Sequence, residues 1–315
     1  MHAQFHWPIP REPAYQWSPT AEPPKVTAIP MAAARHLPHL QSNLNQTNIP
    51  VYAYSIIGGP VNFHPYKAGQ RIALPCIPSR ISTGFPSPCE QFDMAPLDLN
   101  ELLVVHASAT SFALVPNADM EGAGIFYQDL AMIDESLQPR HLDIVVANVE
   151  EQWCCRRFNA LSRSLESDSH NGQVNHSVEN LAVQGVVPHS IRMHRPLAVQ
   201  LEPIQKMPLD LNGLLIPSQH KNATFLAWAQ GRSMEAVGIF DGDLILIDRK
   251  LDYRHGDIVI AVIDQEFTCK VLDKNNSQVV PKSDAPFPSF PFSRLDDLAG
   301  VVTHSIRMHR QPVQL

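Results

Sequence analysis

The heptapeptide His-Ser-Ile-Arg-Met-His-Arg occurs twice, at residues 189–195 and again at 304–310. Two shorter strings repeat with it. Pro96-Leu97-Asp98-Leu99-Asn100 returns as Pro208-Leu209-Asp210-Leu211-Asn212, and Gly124-Ile125-Phe126 returns as Gly238-Ile239-Phe240. The period, about 114 residues from Gly124 to Gly238, lies far beyond the roughly 20–50 residues of solenoid repeats. It marks two tandem copies of a whole domain. A chain of 315 residues has room for both, with tails. Where the copies differ at otherwise shared positions, the fold's needs separate from a catalyst's needs.

The net charge of −7 argues against binding nucleic acid through overall charge, which needs a basic footprint, so no direct sequence-specific DNA contact is expected. No stretch approaches the roughly 20 apolar residues of a membrane span. The opening residues, Met1-His2-Ala3-Gln4-Phe5-His6-Trp7-Pro8, lack the basic and apolar regions of a signal peptide. Cys76, Cys89, Cys154, Cys155 and Cys269 form no Cys-x-x-Cys pair and read as reduced thiols of a cytoplasmic protein. The adjacent Cys154 and Cys155 read as packing residues. His189 and His194, like His304 and His309, are five apart, which on a strand places them on opposite faces. No metal site and no cofactor is expected. The basic heptapeptide reads as a solvated edge strand near each domain's end.

Residues 1–58 carry Pro8, Pro10, Pro13, Pro19, Pro23, Pro24, Pro30, Pro38 and Pro50, which exclude helix and central strand and read as a disordered tail. Residues 59–95 form an irregular arm. Within it, 71–75 has the look of a short edge strand and 80–88 of an extended segment, since proline pushes its neighbour toward β or PPII conformations. The first copy spans 96–195, a linker 196–207, and the second copy 208–315. In the second copy, apolar runs at 224–229, 243–248, 257–264, 266–272, 278–281 and 300–310 alternate with turn signals such as Asp241-Gly242 and His255-Gly256. This is an all-β pattern with no long amphipathic helix.

Ser233, in Gly231-Arg232-Ser233-Met234, follows an apolar run, and most loop serines in such places only cap or turn the chain. Lys270 sits inside the apolar run Glu266-Phe267-Thr268-Cys269-Lys270-Val271-Leu272. Burying its charge is costly, and burial makes the neutral amine available as a base. A neutral lysine beside a serine hydroxyl is an alternative to a Ser-His pair. The plain alternative is a lysine that snorkels from an edge strand to solvent.

Several segments together resemble the LexA/UmuD-like family of self-cleaving Ser-Lys peptidases, over about 59–315 and twice from 96. Thr83-Gly84-Phe85-Pro86-Ser87-Pro88 resembles the cleavage region, and Ser233-Met234 resembles the nucleophile motif. Asp241-Gly242-Asp243-Leu244, His255-Gly256-Asp257-Ile258-Val259-Ile260-Ala261 and Glu266-Phe267-Thr268-Cys269-Lys270 resemble the strands that lead to the lysine. The separation of 37 residues between Ser233 and Lys270 is typical of the family. Two departures stand out. Arg232 replaces the usual acidic residue, and Thr83 is larger than the usual small residue before the glycine.

The resemblance implies two β domains paired as a covalent pseudo-dimer, with Ser233 as nucleophile and Lys270 as base. It implies cleavage of the arm between Thr83 and Gly84, across the pseudo-dimer or in trans on another molecule. Backbone N–H groups near Ser233 and Met234 would hold the oxyanion. It also implies a role in the SOS response, with a translesion UmuC-like DNA polymerase and the RecA–single-stranded DNA filament as partners and further self-association left open. A non-cleaving binding module for the same two partners is the second reading. A repressor would need an N-terminal helix-turn-helix, which residues 1–58 are too proline-rich to supply.

The 114-residue offset carries Ser233 onto Asp119 and Lys270 onto Arg156. Arginine cannot be deprotonated in a protein and cannot serve as the base. The first copy is therefore expected to be catalytically dead, with Asp119 and Arg156 free to form an ion pair where the dyad would stand. The second copy has no arm of its own, because 196–207 contains no glycine.

Overall fold

The computed structural model describes residues 63–77, 81–83, 96–149, 151–168, 175–177, 182–195, 208–263, 266–292 and 297–310. The expected tail at 1–58, the linker at 196–207 and Gly84 lie outside the described residues.

The arm contributes β1 (His64–Pro65) and β2 (Ile81–Ser82). The first copy contributes the short helix α1 (Leu99–Leu103) and strands β3 (Thr110–Leu114), β4 (Leu130–Asp134), β5 (Ile144–Val149), β6 (Gln152–Asn159), β7 (Ser164–Glu166), β8 (Asn175–Ser177) and β9 (Ala182–Met193). The second repeats the series with α2 (Leu211–Leu215), β10 (Thr224–Gln230), β11 (Leu244–Asp248), β12 (Ile258–Ile263), β13 (Glu266–Asp273), β14 (Gln278–Val280), β15 (Phe290–Pro291) and β16 (Leu298–Met308). The second-copy strands other than β15, which was not expected, match the runs expected from sequence to within two residues at each end. Strands β4 and β11 are apolar along almost their whole length because both of their faces are covered.

Pairing repeats as well. In the first copy the order is β3-β4-β9-β5-β6-β7-β8, all antiparallel. In the second it is β10-β11-β16-β12-β13-β14-β15. Within each copy the long last strand pairs with two strands, and its register shifts against each of them.

Strands β9 and β16 also pair with each other, antiparallel and centred on Ile191 opposite Ile306. This overturns the reading of the heptapeptide as a solvated edge strand. Ser190, Ile191, His304, Ser305 and Ile306 are buried. A basic string can lie inside because its arginines find partners at the rim. Arg192 lies over the Phe126 ring at 4.0 Å, and Arg307 over the Phe240 ring at 3.6 Å. Each also reaches the other copy, Arg192 donating to the Val237 carbonyl at 3.1 Å and Arg307 to the Ala123 carbonyl at 3.5 Å. The repeated glycines make that approach possible. Gly124 (φ 74°) and Gly238 (φ 84°) take left-handed backbone, and a Cβ there would run into the guanidinium of Arg307 and the side chain of Arg192 respectively. The histidines are reciprocal too, His194 Nε2 with Ser305 Oγ at 2.9 Å and His309 Nε2 with Ser190 Oγ at 2.8 Å.

The repeated Leu-Asp-Leu-Asn strings form α1 and α2. Asp98 and Asp210 cap them by accepting from backbone amides two and three residues on. The caps cross-link the copies: Asn100 donates to Asp210 at 2.7 Å and Asn212 to Asp98 at 2.8 Å. Beneath them lies one shared core. Leu99, Leu103, Phe112, Met132 and Ile191 of the first copy pack with Leu211, Leu215, Leu226, Leu246 and Ile306 of the second.

The arm is threaded through this frame. It begins on the first copy, where β1 pairs with β3. It then crosses, with Tyr66 bridging to Leu209, Leu74 to Leu97 and Cys76 to Leu226. The expected strand at 71–75 reduces to the single bridge at Leu74, because its backbone groups are spent on crossing between copies. The arm ends, as far as it is described, with β2 in parallel register between β10 and β13.

Candidate active site

Ser233 lies in the turn that leaves β10. Gly231 (φ 99°) bends the chain, and its amide donates to Asp241 at 2.8 Å. Met234 is fully buried and anchors the start of a one-turn helix over Glu235–Val237. The Ser233 carbonyl accepts from Lys282 N at 2.7 Å, which ties the turn to the segment beyond β14. Ser233 itself is fully buried.

Lys270 stands mid-strand in β13 and is also fully buried, which excludes the snorkelling alternative. Its Nζ donates to Thr83 O at 2.5 Å, Ser233 Oγ at 3.1 Å, Thr268 Oγ1 at 3.1 Å and Cys269 O at 3.2 Å. An ammonium has three hydrogens for these four acceptors, so one is always shared. Burial pulls the lysine pKa down from 10.5 to about 8. Thr268, two residues before Lys270 and so on the same face of the strand, was not singled out in the sequence; the spacing Thr-x-Lys was its only signal.

Thr83 is fully buried beside this pair. Its amide and its hydroxyl both donate to the Gln230 carbonyl, at 2.6 and 2.8 Å. The neighbouring Ile81 fills the second copy's core among Ala227, Ala229, Met234, Ile245 and Cys269. The three residues named from sequence in distant parts of the chain, Thr83, Ser233 and Lys270, thus meet through one nitrogen. Gly84 is outside the described residues.

In the first copy, Asp119 and Arg156 meet at 2.8 Å. Arg156 is buried and also donates to Cys155 O at 2.8 Å. Cys155 behaves as a packing residue, its thiol pushed up to about 12 by burial. The offset carries the Ile81 site onto a small cleft lined by Ala113, Val115, Ala131, Val146, Trp153 and Cys155. The frame of the groove that holds Ile81 therefore persists in both copies, and the polar groups beside it differ. Among the described residues no cluster of His, Cys, Asp and Glu suits a metal ion. No helix among them is long and apolar enough to cross a membrane.

The Peptidase S24-like family profile matches the chain twice, at residues 75–187 and 194–298. The chain belongs to the Peptidase S24-like family, a serine peptidase family with self-cleaving members. It is similar to Protein MucA of Salmonella typhimurium, 32% identical over 136 residues that make up 42% of this chain and 93% of that protein. It is similar to Protein ImpA of Salmonella typhimurium, 41% identical over 104 residues, 33% of this chain and 70% of that protein. It is also similar to the LexA repressor of Aeromonas hydrophila, 29% identical over 168 residues, 45% of this chain and 81% of that protein. Each relative covers less than half of the chain, as a tandem duplication requires.

Proposed function

We propose that this S24 protein is a self-cleaving accessory of SOS mutagenesis whose second copy cuts the arm between Thr83 and Gly84 within the same chain. The observation that carries the reading is the Thr83 carbonyl oxygen, held 2.5 Å from Lys270 Nζ, with Ser233 Oγ 3.1 Å from the same atom. The similarity to MucA, ImpA and a LexA repressor supports the SOS setting, with a UmuC-like translesion polymerase and the RecA filament as partners.

The chemistry follows from the charge on Lys270. As an ammonium it donates to the Thr83 carbonyl and has no lone pair to accept a proton, so this is a resting state. Loss of one proton gives a neutral amine whose lone pair takes the Ser233 hydroxyl proton while Oγ attacks the Thr83 carbonyl carbon. Amides near Ser233 and Met234 then take the oxyanion once the carbonyl swings off the amine. Lys270 returns the proton to the Gly84 nitrogen as the peptide C–N bond breaks. Water hydrolyses the resulting ester, leaving a Thr83 carboxylate and a free Gly84 amine.

In the first copy the buried ion pair of Arg156 with Asp119 supports a structural role. That copy starts the arm on its path, supplies part of the shared core and leaves catalysis to the second. The test is intact mass after incubation with and without RecA–single-stranded DNA filament. A product beginning at Gly84 supports the reading. Intact, folded chain under all conditions, including alkaline pH, removes it in favour of a non-cleaving binding module.

A further inference from the structure

Resting on that reading, we infer that the live groove selects a hydroxyl-bearing residue immediately before the scissile bond, read by the main-chain carbonyl of Gln230. The Thr83 side chain has no access to solvent, so its hydroxyl needs a protein partner. It finds one in the Gln230 carbonyl at 2.8 Å. That oxygen already accepts the Thr83 amide at 2.6 Å, so two donors of one residue converge on a single acceptor. The acceptor is fixed from behind: β10 ends at Gln230, and the next residue, Gly231, is pinned through its amide to Asp241. The threonine at this position is therefore an asset of the site, and its bulk is accommodated by a β-branched shape suited to the extended backbone of the arm.

A groove that selects only for small size would cut faster after alanine than after threonine. A groove that reads the hydroxyl does the reverse. The experiment compares Thr83→Ser, Thr83→Val and Thr83→Ala in the full chain, by intact mass at alkaline pH. A neutral hydrogen bond that holds the scissile bond in line through the transition state contributes about fivefold to the rate. Thr83→Val, which keeps the shape, should fall by about that factor, Thr83→Ala at least as far, and Thr83→Ser should stay within about twofold of the parent. Valine or alanine variants cut as fast as the parent, or faster, would overturn the inference while leaving self-cleavage intact. Absence of cutting in the parent and in Thr83→Ser would instead count against the proposed function. Recognition then reads out in the Ser233→Ala chain, by amide exchange at Ser82 and Thr83. Protection reduced about fivefold by Thr83→Val supports hydroxyl recognition, and unchanged protection overturns it.

Discussion

Self-cleavage should report the ionisation of Lys270 directly. Burial draws its pKa from 10.5 to about 8. At pH 7 about one amine in ten is then neutral, and at pH 9 about nine in ten. A rate carried by the neutral amine rises about tenfold between pH 7 and 9 and is nearly flat above that. An unshifted lysine would still be gaining about tenfold per pH unit at pH 9. The assay is the first-order rate of loss of intact mass, measured from pH 6 to 10 on folded protein. A break near pH 8 supports the account. A break above pH 10, or a rate indifferent to pH, would refute the claim that a buried neutral lysine is the base. Stability supplies a second reading of the same group. Its folded pKa lies below its unfolded one, so the unfolded chain binds more protons between about pH 8 and 10.5. Folding should gain about 3 kcal/mol as pH rises through that window. Lys270→Met should lack that gain in urea titrations, and an identical gain in the variant would assign it to other groups.

Ser233→Ala and Lys270→Ala should each abolish the cut, whereas Asp119→Ala should leave its rate unchanged by intact mass. Arg156→Ala strands a partly exposed Asp119 and should cost about 2 kcal/mol in urea, between surface and buried ion pairs, with cutting unaffected. After cutting, fragment 1–83 should stay bound on a native sizing column, because Leu74 and Cys76 are buried in the core shared by both copies and Ile81 in that of the second; a free fragment would show those contacts to be too weak. At the seam, burial holds His189 and His304 at about 4 and His309 at about 3. Their folded pKa values lie below the ordinary 6.5, so stability should be intact above pH 6.5 and fall as pH drops from there toward 4. Denaturation midpoints that do not change over that range would contradict neutral, buried imidazoles.

The strands were legible because their signal is local: apolar runs bounded by Asp-Gly and His-Gly turns. The pairing of Ser233 with Lys270 was legible through motif spacing, and that of Asp119 with Arg156 through the internal offset. The place of His-Ser-Ile-Arg-Met-His-Arg was not. Two basic strands become a buried seam only when each finds its twin and when Arg192 and Arg307 find phenylalanine faces and carbonyls contributed by distant turns. No period in one segment encodes that. The strand expected at 71–75 failed for a related reason. A crossing segment spends its hydrogen bonds on partners in both copies, so β-like composition yields bridges and no ladder. Thr83 could be named as a cleavage candidate, yet its hydroxyl contact depends on where β10 ends.

If the second copy cuts the arm of its own chain, cleavage needs no second molecule. The direct measurement mixes isotopically labelled Ser233→Ala chain with unlabelled parent at alkaline pH and follows both intact masses over a dilution series. The parent should be cut after Thr83 at a rate independent of concentration while the labelled chain stays whole. A labelled chain cut alongside the parent, at a rate that falls on dilution, would contradict it.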